Sequence, residues 1–479
     1  MSPVIVGSII LGYFAILILV SWFTSRNASD ADFYNASRQS PWYLVAFGMI
    51  GASLSGVTFI SIPGEVGNSN FNYFQVVLGY LVGYAVIAQV LLPLYYKLNL
   101  VSIYTYLEQR FGFWSYKSGA FFFLISRIVG SSFRLFLVAS VLQISFFDAF
   151  NLPFWVSVLV TIVLIWLYTF RSGIKTIVWT DTLQTFFMIA AVIISIIFMK
   201  NQLDWTFGEL ITNISEDSRS TIFNWDWQSG RNFFKQFFAG AFIAIVMTGL
   251  DQDMMQKNLT IRTLKEAQKN VLWFCVILVI VNFLFLSMGL VLFQFSEANG
   301  IAIPARTDYL FPELAINHFS MLGAVVFLLG ITAAAYSSAD SALTALTTSF
   351  GIDFLGFNPK NYHEKKTIRK LVHFGFSLIL FFVILIFQSI NDQSVITAVF
   401  VAAGYTYGPL LGLFTSGIFT NWNLKDQWVP LVCLLSPVIA YTININSVNW
   451  LWGYKFGFEI LILNGALTFL GLVFVRKKY

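Results

Sequence analysis

The stretch Gly48–Gly67, "GMIGASLSGVTFISIPGEVG", sits in a run otherwise apolar enough to cross a membrane. Small residues and hydroxyls fill its middle, and a Pro-Gly pair reads as its stop. Irregular backbone at membrane depth is tolerated only where it is buried in protein or lines a cavity. The stretch therefore predicts an interrupted helix rather than a plain anchor. A second segment has the same character. Ala239–Gln256, "AGAFIAIVMTGLDQDMMQ", carries glycines at both ends of its apolar part and acids at its inner end.

The composition places both stretches in a membrane. The chain has 479 residues, of which 57% are hydrophobic and 11% charged, with a mean hydropathy of +0.75. Soluble domains carry about 25% charged residues, so this is an all-α polytopic membrane protein. A net charge of +5 is then no nucleic-acid signal, because its distribution over loops matters more than its sum. Cys275 and Cys433 lack metal or redox spacing, and His318, His363 and His373 are scattered, so no disulfide framework, zinc site or hydrolase set is expected. The first apolar run has no basic flank or cleavage site and reads as a retained span.

A spanning helix needs about 20 apolar residues, which predicts thirteen spans. If the N-terminus is outside and the C-terminus inside, twenty Lys and Arg residues fall in inner loops and six in outer segments, while Arg127 and Arg134 lie within a span. That asymmetry supports the orientation. The two interrupted spans, 42–64 and 233–255, stand five apart. Residues 42–199 and 233–418 then form two five-helix repeats, the second inverted because five is odd, within a single transporter domain over 1–479. One helix (3–24) precedes the repeats and two (428–475) follow. Paired Gly/Pro-interrupted spans point to a binding site at the repeat interface.

Oxygen chemistry collects in the ninth span. In Ala333–Phe350, "AAAYSSADSALTALTTSF", Ala334, Ser337, Ser338 and Ser341 share one helical face, with Asp340 at its margin. Hydroxyls and a carboxylate suit a hard cation. Serines also pack helices closely and bond back to their own backbone, so a structural role stays open. Asp181, in "IKTIVWTDTLQTFF" (174–187), is a second intramembrane acid. Its partner is expected to be the serine face, an ion between them, or neither if it caps at the interface.

These pieces carry a resemblance. "GASLSGVTFISIPGEV", "NLVSIYTYLEQRFG", "GIKTIVWTDTLQ", "GLDQDMMQKNLTIRTLKEAQ", "AAAYSSADSALTALTTSFGIDF" and "AAGYTYGPLLGLF" occur in this order over most of the chain. Together they resemble the sodium:solute symporter (sodium/glucose cotransporter) family. The resemblance implies a LeuT-type inverted repeat and a sodium site of Gly51 and Leu54 carbonyls with Ala334, Ser337 and Ser338. It also implies an optional second sodium site at Asp181, Ser337, Asp340 and Ser341, where Asp340 departs from the usual hydroxyl. One sodium ion or two is therefore expected as coupling ion.

Positions that hold sugar-binding groups in glucose-type members fall on Thr58, Met247 and Val401, which argues against a hexose. "TFISIPGEV" looks closer to the branch for iodide, monocarboxylates and vitamins, with sialic-acid members also open. Arg127, Ser131 and Arg134 share one face of the fourth span. Arginine matches a carboxylate bidentately, so a small organic anion on Arg134 is the preferred substrate reading. A structural pairing of either arginine, for instance with Asp148, is the alternative. Gln75, Tyr405 and Thr406 complete the expected lining. The expectation is a sodium-coupled importer in the plasma membrane, acting as a monomer by alternating access, with no nucleic-acid partner. A neutral sugar or polyol substrate is the alternative within the class. A channel or sensor on the same scaffold is the alternative outside it, although no signalling domain is expected after "VFVRKKY" (473–479). A membrane enzyme would need a clustered catalytic set, which the sequence lacks.

Overall fold

The computed structural model describes residues 3–25, 40–100, 102–169, 174–357, 366–390 and 394–477. Arg26, Arg38, Arg171, Lys360, Lys365 and Lys478, all used for the orientation, lie outside the described residues, as does the side chain of Asp340. Among the described residues the fold is helical, with only two isolated bridge pairs, Ser40 with Ile261 and Leu424 with Arg476. Among the described residues, seven helices are long and apolar enough to cross a membrane, or up to nine if each of two bent pairs is one span. Their outward faces are apolar. Leu371, Phe382 and Ile386 on one helix are all more than half exposed, as lipid contact requires.

In chain order the principal helices are α1 (Pro3–Ser25), α2 (Trp42–Ser53), α3 (Gly56–Ser69), α4 (Tyr73–Val86), α5 (Phe113–Leu142) and α6 (Phe154–Thr169). Then come α7 (Ile174–Gln202), α8 (Phe233–Ala244), α9 (Gln252–Asn258), α10 (Leu264–Ala298) and α11 (Met321–Ser349). The last five are α12 (Lys366–Ile390), α13 (Val395–Thr406), α14 (Gly408–Phe419), α15 (Val429–Trp450) and α16 (Ile460–Phe474).

The interruption in Gly48–Gly67 is real, but it lies before the proline. Helix α2 ends at Leu54 (ψ 79°), Ser55 is extended (ψ 178°), and α3 restarts at Gly56. The expected Pro-Gly stop is corrected: α3 runs through Pro63 and Gly64 to Ser69. Proline removes one backbone donor there, and the two residues instead permit close neighbours. A Cβ on Gly64 would meet the Thr307 carbonyl oxygen at 2.6 Å, and one on Gly289 would meet that of Pro63 at 2.4 Å. The second interruption separates α8 from α9. A widened turn over Ile245–Gly249 precedes it, and the two axes differ by 71°. A third, which the sequence reading did not single out, bends α13 against α14 by 48° at Tyr407, ahead of Pro409.

Helix α4 packs on α8, and α7 packs on both α2 and α11. The α4–α8 contact is the tighter backbone approach. A Cβ on Gly79 would lie 2.0 Å from the Phe237 carbonyl oxygen, and one on Gly240 would lie 2.0 Å from that of Val76. Small residues allow such contact between membrane helices. Gly240→Ala is expected to push the helices apart and cost about 1–3 kcal/mol, the usual range for overpacking. Thermal unfolding of the purified variant checks this, with Gly375→Ala as control, because a Cβ on Gly375 meets nothing within 4 Å.

Candidate functional site

The break after α2 sets a pair of backbone groups free. Leu54 N–H donates to Ile50 O at 2.7 Å, but Ser55 N–H turns to Ser53 O at 3.0 Å and leaves the Gly51 carbonyl without its helical donor. Gly51 itself is pressed on α7 and α11. A Cβ there would meet Thr185 Oγ1 at 2.3 Å, the Asp181 carbonyl oxygen at 2.9 Å and Ser337 Oγ at 3.5 Å. Thr185 ties α7 to α2 by donating its one hydroxyl proton between Asp181 O (2.8 Å) on its own helix and Phe47 O (3.1 Å) on α2. Gly51, Leu54, Ala334, Ser337 and Ser338 are all buried. The Ser338 hydroxyl points back to Ala334 O at 3.4 Å. Ser341 is buried on the same helix.

Asp181 is fully buried and bound on both oxygens. Ser337 Oγ donates to Oδ1 at 2.6 Å, and Lys257 Nζ lies 2.9 Å from Oδ2. The serine face is thus one partner, as anticipated. Lys257 is the one the sequence reading missed, having counted it as an inner-loop charge. It is 1% exposed, so the inner-loop tally loses one member.

A second buried charge cluster lies at the break between α8 and α9. Arg127 of α5 pairs with Asp251 (3.5 Å) and with Asp253. Tyr407, at the α13–α14 bend, donates to Asp251 Oδ2 at 2.9 Å. Asp251 also caps α9 through the backbone N–H groups of Asp253 and Met254. The freed carbonyls of Gly249 and Leu250 accept from the Tyr95 and Tyr104 hydroxyls at 2.8 and 3.0 Å. The suggested pairing of Arg127 or Arg134 with Asp148 is corrected: Asp148 lies near the far end of the helix and accepts from Gln143. The acids of "GLDQDMMQ" were visible as the nearer choice, placed where a broken helix turns inward.

Between the interrupted helices is a cavity of about 100 Å³. Thr58, Met247, Arg127 and Arg134 line it, with aromatic walls from Tyr73, Tyr80, Tyr84 and Phe400. Three expected lining residues are elsewhere. Gln75 is fully buried and spends its amide on Asn72 O, Arg231 O and Asn224 N–H. Tyr405 accepts from Asn444 and, with Val401, lines a separate cavity of about 220 Å³ beside Glu65. The Thr406 hydroxyl bonds back to Ala402 O. The aromatic wall was missed because single tyrosines on apolar helices give no signal of which way they face.

The sodium:solute symporter family model matches residues 33–423. The chain belongs to that family. It is accordingly a sodium-coupled membrane transporter and not an enzyme, with sodium as the coupling ion. The chain is 26% identical over 482 residues to the sodium/sialic acid symporter SiaT of Proteus mirabilis, covering 96% of this chain and 94% of that protein. It is 25% identical to the sodium/sialic acid symporter NanT of Aliivibrio fischeri (95% and 90%) and 24% identical to the human sodium/iodide cotransporter (85% and 65%). A solved substrate-bound, outward-open Na+-coupled sialic acid symporter shares the fold, with a TM-score of 0.82 at 20% identity over 99% of both chains.

The two cavity arginines differ in what removing them leaves behind. Arg127→Leu strands two buried carboxylates and should cost about 3–5 kcal/mol, the range for breaking a buried ion pair. Arg134→Leu strands none and should unfold close to wild type. Denaturation of both variants in one detergent makes the comparison.

Proposed function

We propose that this symporter imports a small organic anion with sodium by alternating access, and that Arg134 receives the anion's carboxylate. One observation carries the reading. Among the described residues no carboxylate lies within ion-pair distance of Arg134, although it faces the cavity next to an arginine that has two. A guanidinium at membrane depth is costly unless something neutralises it. A substrate carboxylate would do so bidentately, and the aromatic wall would hold the rest of the molecule. The sialic acid named for two relatives is a carboxylate, which supports this class.

The same proposal places the coupling sodium on the Gly51 and Leu54 carbonyls, Ala334 O and the Ser337 and Ser338 hydroxyls. The turned-away Ser55 N–H and the packing of Gly51 within reach of Ser337 support it. Asp340 and Ser341 belong to the optional second site. In this reading the helices make thirteen spans, N-out and C-in, as a single domain with two inverted repeats, 42–199 and 233–418, and the bilayer is the plasma membrane. The breaks after α2 and α8 then occupy matching places, and the cavities around Glu65 and Arg231 open outward. The functional unit is the monomer.

Uptake of radiolabelled sialic acid and of short monocarboxylates into proteoliposomes tests the substrate class. Arg134→Lys keeps the charge but loses the planar fork, so apparent substrate affinity should fall about tenfold, or about 1.4 kcal/mol, with sodium activation retained. Preference for a neutral sugar, or full affinity in a folded Arg134→Ala, would refute the anion reading. For the ion, Ser337→Ala with Ser338→Ala should weaken apparent sodium affinity about tenfold or more. Unchanged sodium dependence in that folded variant would remove the site assignment.

A further inference from the structure

We propose that Lys257 is a tethered cation filling the second cation position, so that a single sodium ion accompanies each substrate molecule. The inference rests on the sodium reading above and adds its stoichiometry. Asp181 is the carboxylate around which a second monovalent cation would assemble, and both its oxygens are engaged. Lys257 Nζ is 2.9 Å from Oδ2, and Ser337 Oγ is 2.6 Å from Oδ1. Neither charged side chain is more than 1% exposed. A sodium ion seated on Asp181 would stand within about 4 Å of the ammonium, where like charges in a weakly screened interior repel strongly.

The lysine is also held in place. Its helix is capped by Asp251, its own carbonyl accepts from Thr260 Oγ1 at 2.7 Å, and Asn258 beside it is gripped by Tyr96 and Asn270. The ammonium is therefore delivered to Asp181 by packed structure rather than by a swinging surface chain. Ser337 joins the two positions. Its proton goes to Asp181, and its oxygen lies within 3.5 Å of where a Cβ on Gly51 would sit, beside the position proposed for the coupling sodium. One protein cation and one sodium would then share the α7–α11 cleft. For a monoanionic substrate the cycle moves no net charge, so uptake should not respond to membrane potential.

Equilibrium binding of radiolabelled sodium to the purified full chain tests this without any organic substrate. Wild type should bind one sodium per chain. Lys257→Gln removes the tethered charge, leaves Asp181 open, and should bind two. Its thermal stability should also become more sodium-dependent than that of wild type. Lys257→Gln combined with Asp181→Asn should return to one. Two ions in wild type, or one in a folded Lys257→Gln, would overturn the proposal. If Lys257→Gln does not fold, the wild-type count alone decides. No saturable sodium binding to wild type, while the fold is intact, would instead strike the sodium site at Ser337 and Ser338 and take this proposal with it.

Discussion

A helix that breaks inside a bilayer leaves backbone groups with no water to satisfy them, and the architecture of this transporter answers that constraint three times. At the break between α8 and α9 the answer comes from side chains of the protein itself. Tyr95 and Tyr104 serve the freed carbonyls, and Asp251 serves the freed amides. At the bend before α14, Pro409 is placed where a helix needs no donor, and Asn464 donates to the carbonyls of Gly404 and Tyr405. At the break after α2 the answer is incomplete, since the Ser55 N–H serves Ser53 in place of Gly51. An unserved carbonyl beside buried hydroxyls is what a dehydrated hard cation needs.

Two of the buried basic groups, Arg127 and Lys257, obey a matching rule. Each is expensive alone, and removing one partner of a buried pair costs more than the pair contributes. Arg127 is spread over two acids, and Lys257 over one. Both sets tie the short helix α9 to a different neighbour, α5 in one case and α7 in the other. The short helix α9 is thus pinned from two sides by ion pairs, while α8, before the break, packs on α4 by close glycine contact. Electrostatic pinning is directional and can be exchanged for another partner, whereas glycine packing tolerates only sliding.

Much of this was legible in the sequence, for reasons that differ by residue. The interrupted spans could be read because glycine, hydroxyls and acids have no cheap place in a lipid-facing helix. Asp181 and the serine face could be read for the same reason, and the chain does bring Ser337 to Asp181. Helix ends were harder. Pro63 looked like a stop because proline removes a donor, yet a buried helix passes through it when a neighbour needs close approach. Lys257 was hidden by its position: a basic residue just past an apolar run counts as a loop charge unless the chain folds back, and α9 folds back. Gln75 and Tyr405 were misplaced because helical spacing gives a face but not the neighbour that face meets.

In the reading proposed above, an ion and an anion at separate positions act on one equilibrium. Linkage requires that both ligands prefer the same arrangement of a shared element. The α2–α3 segment is that element. Its break at Leu54 and Ser55 faces the cavity that Arg134 lines, while Gly51, one turn earlier, is pressed on Asp181, Thr185 and Ser337. A cation that draws the Gly51 carbonyl toward Ser337 fixes the end of α2 against α7 and α11. Ser53, Leu54 and Ser55 line the cavity, so the same step sets one wall of the space where a carboxylate would meet Arg134. On that proposal sodium would need no contact with the anion to favour its binding. It would need only to order the backbone at the break, where the Ser55 N–H serves Ser53 in place of Gly51.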